Sequence, residues 1–193
     1  MAVETIEKNR TVDVIIPVYK PDAVFETLLE RLGKQNYPIR RIIIMNTEQS
    51  FWKEDIYETV PNLEVHHVTK NEFDHGGTRN QGASYSEADI MVFMTDDAIP
   101  ADRELIGALV KGLSQKGPLG EYVAAAYARQ LPNRDCAPAE KYTRSFNYPA
   151  ESYVKTKGDL EELGIKTFFA SNVCCAYDRK LFLEAGGFTN QTI

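Results

Sequence analysis

The sequence predicts an α/β fold, a three-layer αβα sandwich around a mostly parallel sheet. One observation behind this prediction is that short β-branched runs alternate along the chain with segments of helix length. Such alternation is typical of strand-helix-strand units, whose right-handed crossovers place successive strands parallel. A second observation is the apolar run over 90–95, which ends on Asp96 and Asp97. Ligands of open parallel sheets bind outside the carboxyl ends of the strands, so these acids indicate a site for a metal-bound anion.

Hydrophobic periodicity and boundary residues predict each element in turn. Pro21 is placed in the first turn of the first helix, where its missing N–H is tolerated. Gly186 and Gly187 end the last helix. β-branched and apolar runs predict strands over 12–19, 41–45, 63–68, 90–95, 122–127 and 168–177. Amphipathic or capped segments predict helices over 21–32, 51–60, 78–87, 102–115 and 179–185.

Between residues 131 and 164 the periodicity fades, and prolines alternate with aromatic and charged residues. The segment is more aromatic than a disordered linker, because it contains Tyr142, Phe146, Tyr148 and Tyr153. We therefore expect an ordered, irregular excursion over the ligand face.

Composition indicates a compact enzyme domain. With 193 residues, 43% hydrophobic and 26% charged, the chain fits one domain over 1–193 with one sizeable core. A net charge of -6 with dispersed basic residues argues against nucleic acid as a partner. The amino-terminal residues are polar and acidic, and no run approaches the roughly 20 apolar residues of a membrane span. A cytoplasmic location is therefore expected.

The cysteines predict thiols rather than disulfides or a metal site. Cys136, Cys174 and Cys175 are odd in number, and adjacent strand residues point to opposite faces, so reduced, buried thiols are expected. Zinc would need about four ligands at a recognisable spacing, which these cysteines and the histidines do not supply.

Seven short motifs are distributed along the chain. The first set is Ile15-Ile-Pro-Val-Tyr, Arg79-Asn80-x-Gly82, Thr95-Asp-Asp-Ala-Ile-Pro and Arg179-x-x-Phe-x-Glu-Ala-Gly-Gly-Phe188. The second set is Phe73-Asp-His-Gly-Gly-Thr-Arg-Asn, Phe146-Asn-Tyr-Pro and Thr167-Phe-Phe-Ala-Ser-Asn-Val. Through the first set the sequence resembles family 2 glycosyltransferases, which have the GT-A, Rossmann-like fold of nucleotide-diphospho-sugar transferases, and through the second set it resembles their bacterial rhamnosyltransferase-like branch. The resemblance extends from about residue 12 to residue 188.

The resemblance implies transfer of a sugar, with inversion, from a nucleotide-diphosphate donor to a saccharide or lipid-linked acceptor. It implies Mg²⁺ or Mn²⁺ as cofactor, a role in cell-envelope polysaccharide synthesis, and peripheral association of the full-length enzyme with the inner face of the membrane. Asp97 matches the last acid of the family's Asp-x-Asp motif and is the expected metal ligand, while Asp96 would touch the donor ribose or the metal's water shell. Thr95 stands where the motif begins with Asp. Alternatively, either acid caps the following helix or ends the strand.

Other matched positions are assigned to the donor. Pro17, Val18 and Tyr19 correspond to the strand end that cradles the base and ribose, and Tyr19 would stack on the base or else serve the core or rim. Arg79 would face the diphosphate with bidentate geometry, or else form a surface ion pair. The glycines that precede Arg79 would let backbone approach an anion at the helix N-terminus.

Three further polar residues are also assigned. Asn46 replaces an Asp of many family members and would hydrogen-bond a pyrimidine edge through its amide. Asn172 lines the sugar or acceptor pocket, or else bonds local backbone. His75 is expected to be structural rather than to face the donor.

One element of the family's pattern has no match in this sequence. The acidic pair that supplies the family's general base follows the Gly-Gly-Phe element, and no matched pair precedes Ile193. We therefore predict a truncated enzyme that folds and binds a donor nucleotide but transfers the sugar poorly. Its exposed apolar surface would allow self-association. The alternatives are a nucleotidyltransferase, which should show a Gly-rich basic loop after the first strand, and a noncatalytic sugar or protein-binding module.

Overall fold

A computed structural model describes residues 10–53, 60–133 and 135–190. Its centre is a six-stranded sheet in the order β3-β2-β1-β4-β6-β5. The strands are β1 (Val12–Tyr19), β2 (Arg41–Thr47), β3 (Leu63–Val68), β4 (Ile90–Met94), β5 (Ala125–Tyr127) and β6 (Cys174–Asp178). The first four are mutually parallel, and β6 runs antiparallel between β4 and β5. The predicted mostly parallel sheet is confirmed.

Helices cover both faces of this sheet. They are α1 (Ala23–Leu32), α2 (His75–Tyr85), α3 (Leu105–Leu113), α4 (Pro138–Asn147), α5 (Leu160–Leu163) and α6 (Arg179–Glu184). Even-numbered residues of β1, such as Val14 and Ile16, pack with the buried stripes of α1 and α3. Ile15 packs on the opposite face with residues of α2 and α6. Since successive strand residues face opposite sides, one sheet supports two cores, and the three-layer sandwich is confirmed.

Most predicted elements are present, with shifted ends. The first helix begins after Asp22, whose side chain accepts from the backbone N–H groups of Val24 and Phe25, so Pro21 lies outside the helix. The helix predicted over 78–87 begins at His75, because Asp74 caps it. The helix predicted over 102–115 is Leu105–Leu113, and the strand predicted over 122–127 begins at Ala125. The helix predicted over 51–60 falls mainly outside the described residues, and a short 3₁₀ turn covers Gln49–Phe51.

The later part of the chain differs more from the prediction. The segment 131–164, expected to be irregular, contains α4 and α5. The strand predicted over 168–177 begins only at Cys174. Before it, Gly164–Phe168 is a 3₁₀ turn, and Lys155 Nζ donates to the carbonyl oxygens of Lys166 and Phe169. These backbone acceptors are therefore occupied by a side chain instead of a neighbouring strand.

Helix α2 lies unusually close to the sheet. A Cβ atom on Gly82 would come within 2.6 Å of the side chain of Ile15, so only glycine permits this approach. Asn80 fixes the same helix to the end of the described chain, since its amide accepts from Phe188 N at 2.9 Å and donates to Phe188 O at 2.8 Å. Gly187, with a φ of +75°, turns the chain beside Asn80.

The amino-terminal edge of the sheet holds a paired buried charge. Asp13 is fully buried and accepts from Arg40 Nε at 3.0 Å and Arg40 Nη2 at 2.8 Å. The hydroxyl of Ser86 donates to the same carboxylate at 2.8 Å. Hydrogen bonding by Asp13 raises the pKa of Arg40. This arrangement joins β1, the start of β2 and the end of α2 in one ion-pair network.

All three cysteines are free, which agrees with the predicted absence of disulfides. Burial raises the pKa of the Cys174 and Cys175 thiols to about 12. Cys136 is only partly buried, so the expectation of three buried thiols is wrong for this residue, which precedes α4 on the surface. Within the described ranges, no helix is long and apolar enough to cross a membrane.

Candidate functional site

The sheet brings the predicted polar residues together at its carboxyl-terminal edge. Val18 of β1 pairs with Asn46 of β2, so these two residues stand at the same level of the sheet. Asp96 follows β4, the other neighbour of β1, and its Oδ2 accepts from the Tyr19 backbone N–H at 3.4 Å. The ends of three adjacent strands therefore converge, as expected for a parallel sheet.

The two adjacent acids have different environments. Asp96 is half-buried, and burial raises the pKa of its carboxyl, with a further upward contribution from the charge of Asp97. The Tyr19 backbone N–H opposes this rise. Asp97 is exposed, and its Oδ1 accepts from the Thr95 hydroxyl at 2.6 Å. Thr95, which departs from the Asp-x-Asp pattern, thus orients Asp97.

Neither acid caps the next helix. The cap residue of α3 is Glu104, and the carboxylate that accepts from the Glu104 backbone N–H is Asp102. The capping alternative for Asp96 and Asp97 therefore does not hold among the described residues. One oxygen of Asp97 remains without a described partner, which leaves it available to a ligand.

The acids fit a divalent ion that is shared with a substrate. The described part of the chain contains no cluster of three or more His, Cys, Asp or Glu residues that would hold a metal by itself. Mg²⁺ is commonly held by one or two carboxylates together with substrate phosphates and water. The oxygen donors of Asp96 and Asp97, one half-buried and one exposed, agree with that mode and supply hard ligands suited to Mg²⁺ or Mn²⁺.

Arg79 is a partly buried cation with few partners. Its Nη1 donates to the His75 carbonyl at 2.7 Å, while its Nε is buried without a hydrogen-bond partner. Burial lowers the pKa of Arg79, and the charge of nearby Asp96 opposes this. No ion pair of Arg79 is formed within the described residues, so the surface-ion-pair alternative is not supported. A partly desolvated guanidinium that forms no ion pair is suited to binding an anion.

The start of α2 does not offer its backbone to an anion. Asp74 accepts from the N–H groups of Gly76 and Gly77 at 3.0 and 2.6 Å. A Cβ atom on Gly76 would meet the Thr189 carbonyl at 2.1 Å, so this glycine permits close packing against the chain end. The prediction that these glycines admit an anion is wrong, because a side-chain cap and the chain itself occupy the helix N-terminus.

The remaining predicted donor residues lie at different depths. Val18 is buried, Pro17 is half-buried, and Tyr19 is exposed with its ring edge-on to Phe51 at 5.6 Å. Lys20 places its ammonium over both rings. Tyr19 thus belongs to the rim, where a stacking ligand has access to an aromatic pair.

Asn46 is completely buried instead of facing the surface. Its Nδ2 donates to the Glu48 carbonyl at 3.2 Å and lies 3.0 Å from Nδ1 of His67. Its Oδ1 is buried and has no hydrogen-bond partner. The amide therefore contacts neighbouring protein groups at the strand ends.

Asn172 and His75 each contact a neighbouring side chain. Asn172 Oδ1 accepts from the Tyr177 hydroxyl at 2.7 Å, so its side chain bonds a side chain rather than local backbone. Burial raises the pKa of Tyr177, and the positive charge of Arg79 opposes this rise. His75 is exposed and lies edge-on to Phe73 at 5.1 Å, and its structural role stays a prediction.

Sequence reasoning missed a polar network that fixes the later segment. Gln130 Nε2 donates to the Tyr148 hydroxyl at 2.6 Å and to the Ser171 hydroxyl at 2.9 Å, and Arg144 donates to Gln130. The network joins α4 to the residue that precedes Asn172. No local sequence pattern predicts these contacts, because the partners are separated by up to 41 residues. Tyr177 and His67 were also missed, although each stands on a predicted strand.

Comparison with known proteins agrees with this architecture. The chain matches the family described as Glycosyl transferase family 2 over residues 13–186. It is 38% identical over 190 residues to O-antigen chain rhamnosyltransferase RfbN of Salmonella typhimurium, in a match that spans 94% of this chain and 57% of that relative. It is 35% identical over 182 residues to O-antigen chain rhamnosyltransferase WbaN of Salmonella anatum, which spans 93% of this chain and 56% of that relative. The chain thus spans little more than half the length of these curated relatives.

A solved structure shares the fold. The mannosyltransferase PcManGT of Pyrobaculum calidifontis, in complex with GDP-Man and Mn²⁺, superposes with a TM-score of 0.65 at 20% identity. The superposition covers 95% of this chain and 48% of that one. The sheet order, the motif positions and the match over nearly the whole sequence together show that the chain belongs to glycosyl transferase family 2.

Proposed function

We propose that this chain is the donor-binding part of an inverting glycosyltransferase that moves rhamnose from a nucleotide-diphosphate donor to a saccharide or lipid-linked acceptor. The observation that carries the proposal is the carboxyl-edge site, where Arg79, partly buried and without an ion-pair partner among the described residues, stands near Asp96, which the exposed acid Asp97 follows. A metal-bound diphosphate matches this set, since it provides an anion for the guanidinium and a cation for the acids. The names of the two Salmonella relatives support rhamnose and O-antigen polysaccharide as substrate classes.

Each residue has a chemical task in this proposal. Asp97, oriented by Thr95, and Asp96 would hold Mg²⁺ or Mn²⁺, which when bound stabilises negative charge on the departing diphosphate. Arg79 binds phosphate oxygens and offsets the same charge. Tyr19 offers an aromatic face to the base or ribose. Asn172, held by Tyr177, orients the sugar or the acceptor hydroxyl.

We also propose how the acceptor is bound and where the enzyme acts. The aromatic segment that carries α4 is joined to the site through Gln130, Tyr148 and Ser171, which supports a role in acceptor binding. The relatives' names support action on a cell-envelope polysaccharide, and location at the inner face of the membrane stays a proposal. The location of the general base and the poor transfer by this chain alone remain predictions.

Calorimetric titration of UDP, dTDP and GDP, with Mn²⁺ and with EDTA, tests the donor site. We expect one of the three to bind in a Mn²⁺-dependent manner, and Asp97→Ala to lose that binding while it remains folded. Asp135→Ala, at another exposed acid before α4, is the matched control and should bind as the wild type does. Equal binding by Asp97→Ala, or equal binding in EDTA, would contradict the proposed metal site.

A further inference from the structure

The buried amide nitrogen of Asn46 lies within hydrogen-bonding distance of two protein groups. The Glu48 carbonyl oxygen is 3.2 Å away and Nδ1 of His67 is 3.0 Å away. The Glu48 carbonyl can only accept, so the nitrogen of the amide must face it. The opposite orientation would place two oxygens against each other.

Glu48 is held firmly enough to decide that orientation. Its φ of 67° is strained for a residue with a side chain, and the turn persists because neighbouring contacts determine it. Its backbone N–H donates to the Val68 carbonyl at 2.8 Å, and its carboxylate accepts from Lys70 N at 2.5 Å. The carbonyl of Glu48 is therefore fixed in front of Asn46.

The fixed amide determines the tautomer of His67. An amide N–H is directed at Nδ1, which must accept and so carries no proton. In the neutral ring, the proton then resides on Nε2. His67 therefore presents an N–H donor on the side of the ring away from Asn46.

The position of His67 makes this donor accessible to a ligand. Asn46 and His67 are paired residues at the carboxyl ends of β2 and β3, and His67 is exposed. Strands lie about 4.8 Å apart, so His67 is roughly 14 Å from the β4 end that leads to Asp96 and Asp97. The ring edge of Trp52, 6.4 Å away between centroids, flanks the imidazole.

We infer that His67 is a specificity-determining residue for the nucleobase of the donor. This inference rests on the proposed function, and it identifies the ligand as a nucleoside diphosphate whose base bears a carbonyl oxygen. Uracil, thymine and guanine offer such an oxygen to the His67 Nε2–H, whereas adenine presents an amino donor and no carbonyl. Asn46 is then a positioning residue, because it acts on the base through His67 and does not contact it.

Nucleotide selectivity tests the role of His67. With Mn²⁺ present, we expect the best of UDP, dTDP and GDP to bind about tenfold more tightly than ADP, the size of effect that one hydrogen bond supplies. His67→Phe should reduce this ratio towards one, and His67→Gln, which retains an N–H near the same place, should keep most of it. His66→Phe is the matched control, since His66 stacks on Tyr85 at 3.7 Å, and it should leave the ratio unchanged.

A second measurement examines the geometry independently of binding. Long-range ¹⁵N–¹H NMR of the histidine rings, with the His67 signals assigned by their loss in His67→Phe, should show Nε2 protonated and Nδ1 bare. Asn46→Ala should remove this preference. A protonated Nδ1 in the wild-type neutral ring, or a base ratio unaltered by His67→Phe, would overturn the inference. A wild type that binds no diphosphate with Mn²⁺ would instead contradict the proposed function, and the NMR result would still show whether His67 is held as described.

Discussion

The two edges of the sheet hold their charged residues in opposite ways. At the amino-terminal edge, Asp13 is fully buried and is bonded by Arg40 and Ser86. At the carboxyl-terminal edge, Arg79 has a buried Nε without a partner, and Asp96 faces the like charge of Asp97. Arg41 at the amino edge also has a buried Nε without a hydrogen-bond partner, but its Nη1 pairs with Glu64 at 2.7 Å, whereas Arg79 forms no ion pair among the described residues.

This difference distinguishes charged residues that stabilise the fold from charged residues that bind a ligand. A buried charge that is paired and hydrogen-bonded stabilises the packing of its neighbours, and removal of one partner is costly. A buried polar group that lacks a partner costs free energy in the unliganded protein and is retained where a ligand completes it. We therefore expect substitutions at the amino edge to affect folding and substitutions at the carboxyl edge to affect binding.

The largest expected effect is on stability at the amino edge. Asp13→Ala leaves Arg40 and Ser86 without their acceptor, and we expect the free energy of unfolding to fall by about 3 kcal/mol. Urea denaturation at neutral pH measures this loss. Glu87→Ala is the control, since Glu87 is largely exposed and lies 3.5 Å from Arg40, and it should change stability little. An Asp13→Ala protein as stable as the wild type would mean that this edge is not the anchor described.

The second effect is on affinity at the carboxyl edge. Arg79→Met should weaken Mn²⁺-dependent binding of the preferred diphosphate about thirtyfold, because charge-assisted hydrogen bonds to phosphate are lost. Its free energy of unfolding should stay equal or rise, since a partly buried guanidinium without an ion-pair partner among the described residues is replaced by an apolar chain. Calorimetry and urea denaturation on the same samples measure the two quantities. Arg31→Met, at the exposed end of α1, should alter neither, and a destabilised Arg79→Met would place Arg79 with the structural residues.

A third prediction concerns pH. Burial raises the pKa of Asp96, so the folded protein binds a proton there at pH values where the unfolded chain has lost it. Its contribution to stability is therefore present below the ordinary Asp pKa of about 3.9 and is lost as pH rises through the raised value. Asp96→Asn should remove this decline. Unfolding free energies of both proteins between about pH 4 and 7 test it, and Mn²⁺ affinity of the wild type should fall over the same range as pH is lowered.

The smallest expected effect lies outside both edges, on α4. Tyr142 and Phe146 stack in parallel on this helix and are 71% and 62% exposed, so we predict weak self-association through this face. Tyr142→Ser with Phe146→Ser should lower the weight-average mass at high concentration in sedimentation experiments. Leu119→Ser, at a residue that is 90% exposed elsewhere, serves as control. A concentration-independent monomer mass for the wild type would rule out the predicted association.

The sequence predicts the fold well where local pattern and burial agree. The β-branched run of β1 and the apolar run of β4 are buried on both faces, so tertiary context reinforces what the pattern indicates. Asp96 and Asp97 could be placed at the carboxyl edge of the sheet for the same reason, since the buried strand β4 ends just before them. Before β6, by contrast, Phe168 and Phe169 have strand propensity, but Lys155 occupies the Phe169 carbonyl and the chain turns.

The site was less predictable wherever its geometry depends on distant partners. Asp74 precedes the Gly-Gly pair and takes the helix N–H groups that an anion was expected to use. Asn46 was correctly placed at the strand end, yet its burial and its contact with His67 depend on the pairing of β2 with β3. Periodicity predicts which face of a strand is buried and where the strand ends. It contains no information on which neighbour hydrogen-bonds to a given side chain.

The most direct test of the contrast between the edges is paramagnetic line broadening in amide NMR spectra, with Mn²⁺ and the preferred diphosphate added to the protein. We predict that the strongest broadening is centred on the amides of Thr95, Asp97 and Tyr19 and disappears in Asp97→Ala. The amides of Asp13 and Ser86, at the opposite edge of the sheet, should stay sharp. Broadening centred on the amino edge, or spread evenly over both edges, would contradict the claim that the carboxyl edge, where Arg79 lacks an ion pair among the described residues, is the metal and donor site.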